Sequence, residues 1–165
     1  MYITFEEYAA IYAPMDEMLF NTLAFDACRV MDIHTTGIDN VKKLKRFFPV
    51  DESDAQAVKH CAAKLISLMD QIQQTEMAAY QMRGAEQTEQ GLRGKVISSV
   101  SAGNESISYA IGTSAVTTAI DAAVKDKTAR DKLLADTVWE YLRGIQDANG
   151  INLLYMGRYP GGCLC

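Results

Sequence analysis

VKHCAAKLISLMDQI, residues 58–72, decides the fold class of this chain. Val58, Ala62, Leu65, Met69 and Ile72 recur at intervals of four and three residues, which sets them on one face of an α-helix. The seam is too short to make a coiled coil by itself, so it must pack on another helix of the same domain. Asp51 or Ser53 is placed to cap this helix, and the acids Asp51, Glu52 and Asp54 suit its positive end. The pattern runs to about Met82. The expected architecture is mainly α: a small helical bundle carrying a β-hairpin and an extended C-terminal tail.

Upstream, Thr4 with Glu7 reads as a capping box opening a short helix, and Pro14 ends it or starts the next one. From Met15 to about Ile33, Leu19, Leu23, Ala27 and Val30 keep helical spacing, and His34 continues that face as a partly buried, hydrogen-bonded histidine. Thr35, Thr36 and Gly37 break the helix. Asp39 is expected to cap a short helix bearing Val41, Leu44 and Phe47 or Phe48, stopped by Pro49. KKLKR, Lys42 to Arg46, reads as a solvated helix face.

Downstream, GAEQTEQGLRGK (84–95) reads as a polar loop, and then the period changes. Val96, Ser98 and Val100 alternate with Ile97 and Ser99, Ala102 to Glu105 makes a turn, and alternation resumes through Ile107 and Tyr109. That predicts a β-hairpin over 96–110. Residues 114–124 read as a helix with Val116, Ile120 and Ala123 on one face. Thr128 with Asp131 is expected to cap a last helix whose face is Leu134, Val138, Tyr141 or Leu142, and Ile145. Trp139 reads as packed, and Asn149-Gly150 as the helix end. The division is a helical domain over 1–150 and an extended docking tail over 151–165, NLLYMGRYPGGCLC from Asn152 onward.

The chain has 165 residues, 48% hydrophobic and 22% charged, which suits one globular domain. No run approaches a membrane span, and MYITFEEY lacks the basic start of a signal peptide. Sixteen bases against twenty-one acids give a net charge of −5, which counts against a sequence-reading nucleic-acid binder. Cys28 and Cys61 read as small buried hydrophobes. Cys163 and Cys165 cannot close a zinc site alone, and His34 and His60 share no ligand spacing with them, so no metal and no cofactor are expected. No phosphate loop, nucleophile elbow or His-Glu-x-x-His is present. Neighbours such as His60 and Cys61 point about 100° apart on a helix, too far to act together. The expectation is a protein that is not an enzyme.

A lone hairpin is marginal in water, and the tail is oily and nearly uncharged. Both look short of partners within the chain. Another copy can supply them, by strand addition or by a groove. If each copy gives to the next, closure makes a ring.

The order of segments carries a resemblance: MYITFEEYAAIY, a threonine-glycine break, a long helix, ISSVSAGNESISYA and LLYMGR. It resembles the head–tail connector (adaptor, or head-completion) proteins of long-tailed bacteriophages and prophages. That family has a serine-rich strand pair of the kind V-x-S-x-S-x-G-x-x-S-x-S-Y, corresponding to Val96 through Tyr109. Its closing LLYRG-like segment corresponds to Leu153 to Gly157, with Met156 where a basic residue is common and Arg158 two places on.

The resemblance implies a structural virion protein. It would form a ring, commonly of twelve copies, between the portal protein and a tail-side connector or stopper protein. Viral DNA would pass through the lumen without sequence-specific binding, and no membrane would be involved. Assembly would occur in the host bacterial cytoplasm, with the product in the virion neck. The expected interface residues are Ile97, Val100, Ile107 and Tyr109 on the hairpin, and Leu153, Leu154, Tyr155, Arg158 and Tyr159 in the tail. The alternative is a cytosolic helical binding or regulatory module acting as a dimer.

Overall fold

The seam over 58–72 forms as expected, inside a long helix that the other helices surround. In a computed structural model of the chain, the structure describes residues 1–13, 15–82, 85–88, 91–94, 100–102, 105–107 and 118–160. The fold is mainly helical. In chain order the helices are α1 (Phe5–Ile11), α2 (Glu17–Thr35), α3 (Lys43–Arg46), α4 (Glu52–Met82), α5 (Ala119–Lys125) and α6 (Lys127–Leu142). Helix α4 packs against α2, α5 and α6. Val58, Ala62 and Leu65 are wholly buried and Ile72 nearly so. Around them close Phe20, Ala27 and Met31 of α2, Leu44 of α3, and Val138 and Leu142 of α6. Among the described residues no helix is long and apolar enough to cross a membrane.

Caps and ion pairs set where these helices sit. Thr4 Oγ1 accepts from the Glu7 backbone N–H at 3.2 Å, and Glu7 Oε2 accepts from the Thr4 N–H at 2.9 Å, which is the capping box read from the sequence. Lys59 Nζ, 2.6 Å from Glu7 Oε1, then ties α1 to α4. At the other end Arg130 pairs with Glu76, joining α6 to α4, and its Nε donates to the Ala123 carbonyl that closes α5.

Several local expectations need correction. Asp126, not Thr128, caps α6, its carboxylate accepting from the Thr128 N–H at 2.9 Å. Helix α6 stops at Leu142 because Gly144, at φ +89°, takes the left-handed turn that follows. The Asn149-Gly150 pair instead closes a separate turn, with the Gly150 N–H donating to the Asp147 carbonyl. Asp39 does not cap α3, whose N-cap is Lys42 with no side-chain bond. Trp139 is 57% exposed rather than packed. It follows Val138, and so falls off the 134–138–142 seam that faces the core.

Between α4 and α5 the described backbone forms two short antiparallel pairs, β1 (Ala85–Thr88) with β2 (Gly91–Gly94) and β3 (Val100–Ala102) with β4 (Glu105–Ile107). The first lies where the sequence reads as loop. The second does not by itself establish a hairpin over 96–110. Residues 95–99, 103, 104 and 108–117 lie outside the described residues, and with them Ile97, Tyr109 and Val116.

The boundary expected at residue 150 does not exist in the packing. Residues 151–160 fold back over α3 and the 36–42 loop. The Ile38 N–H donates to the Met156 carbonyl at 3.1 Å, and the Leu153 N–H to the Ile145 carbonyl at 2.9 Å. This return is so close that a Cβ on Gly37 would stand 2.5 Å from the Gly157 carbonyl oxygen. Gly37→Ala is therefore expected to push the two strands of backbone apart. It should cost about 1–3 kcal/mol in urea unfolding; an unchanged midpoint would mean that the loop and the segment are not in register.

Candidate interaction surface

Helix α2 has two apolar faces. Phe20, Leu23, Ala24, Ala27 and Met31 point into the core. Met18, Phe25 and Ile33 are 78%, 67% and 59% exposed, and they follow one another at about two helical turns. They form a stripe on the outside of the bundle. Beside the stripe lies an open groove of about 830 Å³. Phe25, Ile33 and Met1 give it apolar walls, and Arg29, Lys42 and Lys45 stand around it.

One polar cluster crosses this groove. The Tyr2 hydroxyl donates to Asp32 Oδ1, and Lys45 Nζ sits 3.5 Å from Asp32 Oδ2. Asp32 is thus engaged from two sides, so the rim keeps a positive character from Arg29 and Lys42. Burial, reinforced by the bond to Asp32, pushes the Tyr2 phenol well above its ordinary range. Cys28 also lines the groove, and burial raises its thiol. Burial pushes the Cys61 thiol up to about 12. Neither thiol is a ready nucleophile at neutral pH. His60 is exposed while Cys61 is fully buried, so the two do not act together. Among the described residues no group of three His, Cys, Asp or Glu side chains could hold a metal ion.

The expected tail interface divides in two. Leu153 is fully buried and Tyr159 is 7% exposed, both within their own chain, and Leu154 packs against the same core. The expectation that Leu153, Leu154 and Tyr159 dock on another molecule is corrected by this packing. Tyr159 stacks on Phe47 with ring centres 4.9 Å apart. Its hydroxyl donates to Asp147 Oδ2 at 2.7 Å and accepts from Asn149 Nδ2, and its N–H donates to Asp39 Oδ2. Tyr155, Met156 and Arg158 remain on the surface. Since Ile38 and Met156 are bonded through their backbones and both side chains are exposed, they add a second apolar patch near Gly37 at the groove's end.

Lys43 fastens this segment. It belongs to the KKLKR run, yet it is 1% exposed. Its ammonium donates to the Asn152 carbonyl at 3.3 Å and to the Tyr155 carbonyl. Burial pulls its pKa down, while the charges of Asp147 and Asp39 push back. Val100 and Ile107 are described only as backbone partners in β3 and β4, so the hairpin's expected contacts with a neighbour remain expectations.

The buried phenols give the fold an alkaline limit. Burial is the leading cause of raised pKa values at Tyr2, Tyr8, Tyr12 and Tyr159. A phenol raised in the folded state keeps its proton when the unfolded chain, near the ordinary 10.0, has lost it. Their contribution is complete below pH 10.0 and is lost as pH climbs through the folded values. Lys43, lowered in the folded state, acts in the opposite sense, while the Cys28 and Cys61 thiols, raised by burial from an ordinary 9.0, act with the phenols from that pH upward. The melting temperature is expected to fall above that pH, and less steeply in Tyr159→Phe. A flat profile to higher pH would contradict the burial of these rings.

Comparison with family models, with curated proteins and with solved structures finds no match to the chain.

Proposed function

We propose that this chain is a head–tail connector subunit, a structural protein that forms a ring between the portal and the tail of a bacteriophage. The observation that carries the reading is the outward apolar stripe of α2 with its groove, a surface that the described residues leave open. Exposed apolar patches of this kind mark interaction sites in folded proteins. The order of segments in the sequence, from MYITFEEYAAIY to LLYMGR, supplies the family. A mainly helical body agrees with it. In this proposal a β-hairpin over 96–110 presents Ile97, Val100, Ile107 and Tyr109 to a neighbouring copy or to the portal, and Tyr155 and Arg158 add to that contact. The protein carries no catalysis and no cofactor. DNA passes through the ring, and a net charge of −5 suits a channel wall that must not hold phosphates.

The test is to mix the purified chain with a bacteriophage portal protein from the same genome and to image the product in negative stain. The expected product is a portal with an added ring of this chain on its tail-facing end. A second reading, a helical binding module acting as a dimer, draws on the same α2 stripe. It is favoured instead if the chain ignores the portal and light scattering gives two copies.

A further inference from the structure

Asn149 is the only asparagine of the chain that a glycine follows. That dipeptide carries a reaction of its own. With no side chain on Gly150 to shield it, the Gly150 backbone nitrogen has access to the side-chain carbonyl carbon of Asn149. The nitrogen gives up its proton to solvent and bonds to Cγ. The bond from Cγ to Nδ2 breaks, and Nδ2 takes up a proton and leaves as ammonia. Water then opens the resulting cyclic imide at either carbonyl, which leaves aspartate or isoaspartate at position 149. The step consumes water and needs no other co-reactant.

Both residues are exposed to water, yet both reacting groups are held. The Gly150 N–H donates to the Asp147 carbonyl at 2.9 Å, which engages the proton that must leave. Asn149 Nδ2 donates to the Tyr159 hydroxyl at 2.8 Å, which fixes the leaving group. The first bond lies within the turn itself. The second comes from the returning segment, where Tyr159 is 7% exposed and stacks on Phe47. The amide is therefore tied down only while residues 151–160 lie back on the bundle.

We infer that Asn149 is a deamidation site that the docked 151–160 segment keeps closed, and that its reaction loosens this segment for good. The Tyr159 hydroxyl has one proton, and Asp147 Oδ2 already receives it at 2.7 Å. The amide meets that hydroxyl as a donor, whereas a carboxylate in its place offers only acceptors. It also sets a second negative charge beside Asp147. Isoaspartate further adds a methylene to the backbone, inside the turn that the Asp147 N–H closes by donating to the Ile151 carbonyl at 2.8 Å. Loss of ammonia makes the change one-way. The inference goes beyond the proposed function and holds for a ring subunit and for a dimer alike.

The test is to incubate the full chain at mildly alkaline pH and to follow each asparagine by peptide mapping with mass spectrometry. In the urea-unfolded chain Asn149 should convert before every other asparagine. In the folded chain it should convert more slowly by about tenfold or more, because the segment must first open. Tyr159→Phe keeps the ring and drops the hydroxyl, and should speed conversion by about fivefold or more. Its reference is the native chain in the urea concentration that brings it to the same stability, which separates this bond from general destabilisation. Asn149→Asp stands for one product. In it, hydrogen exchange at the N–H groups of Leu153 and Tyr159 should quicken while that of α4 stays unchanged. Another asparagine converting first overturns the site. A folded chain that converts as fast as the unfolded one, or a Tyr159→Phe chain no faster than its reference, overturns the protection. Unchanged exchange in Asn149→Asp overturns the release.

Discussion

A chain truncated after Gly150 is expected to unfold rather than to survive as a trimmed helical domain. The cut removes Leu153, one of the largest fully buried side chains, and Tyr159 with its stack on Phe47. Deleting a buried leucine costs about 2–5 kcal/mol. It also removes the two carbonyls that receive the Lys43 ammonium. Losing the Tyr159 ring from its stack on Phe47 costs about 3–5 kcal/mol more, the range for a buried aromatic ring cut away. Together these approach the whole stability of an ordinary domain, about 5–15 kcal/mol. Thermal melting followed by circular dichroism should show a lost or sharply lowered transition. A truncated chain that melts like the full one would show that residues 151–160 are an appendage after all.

Asp147→Ala should be the most damaging single substitution among the buried polar residues. Its carboxylate is 5% exposed and accepts from the N–H groups of Asn149 and Ile151 and from the Tyr159 hydroxyl. It is also the leading charge that holds Lys43 protonated against its burial. Alanine would leave two N–H groups without their acceptor and remove the larger of the two charges that favour the Lys43 ammonium, a loss of about 3–5 kcal/mol. Tyr159→Phe removes both bonds of the hydroxyl, to Asp147 and from Asn149, and should cost about 1–3 kcal/mol. The two changes share a partner, so the double variant should fall short of their sum by about 0.5–3 kcal/mol. Urea titration of the four chains measures this. Strict additivity would mean that Asp147 and Tyr159 act separately, against the 2.7 Å bond between them.

The helical frame was legible because its signals are local. The Thr4–Glu7 capping box spans three residues, and the 58–72 seam repeats within one element. The tail was misread because what buries it is far away in sequence. Lys43 meets carbonyls 109 and 112 residues downstream, and Tyr159 bonds to Asp39 across 120. Nothing within NLLYMGRYP announces that it returns to α3. Its lack of charge was a true sign of burial, assigned to the wrong molecule. Similarly, the KKLKR run shows four bases but not which of them turns inward. Trp139 was misread in the other direction. Its hydrophobicity suggested the core, while its position one residue past Val138 already put it off the seam. The α2 groove was missed although its signal is present: Met18, Phe25 and Ile33 make a second apolar stripe on a helix whose first stripe was already assigned inward.

The central claim is that copies of this chain close into a ring on a portal. Negative-stain imaging of the chain mixed with a bacteriophage portal protein from the same genome tests it most directly. The account predicts a closed ring of about twelve copies, the number the family resemblance implies, coaxial with the portal and open at its centre. A portal that stays bare at saturating chain, while the chain runs as a monomer or a two-fold dimer, would contradict it.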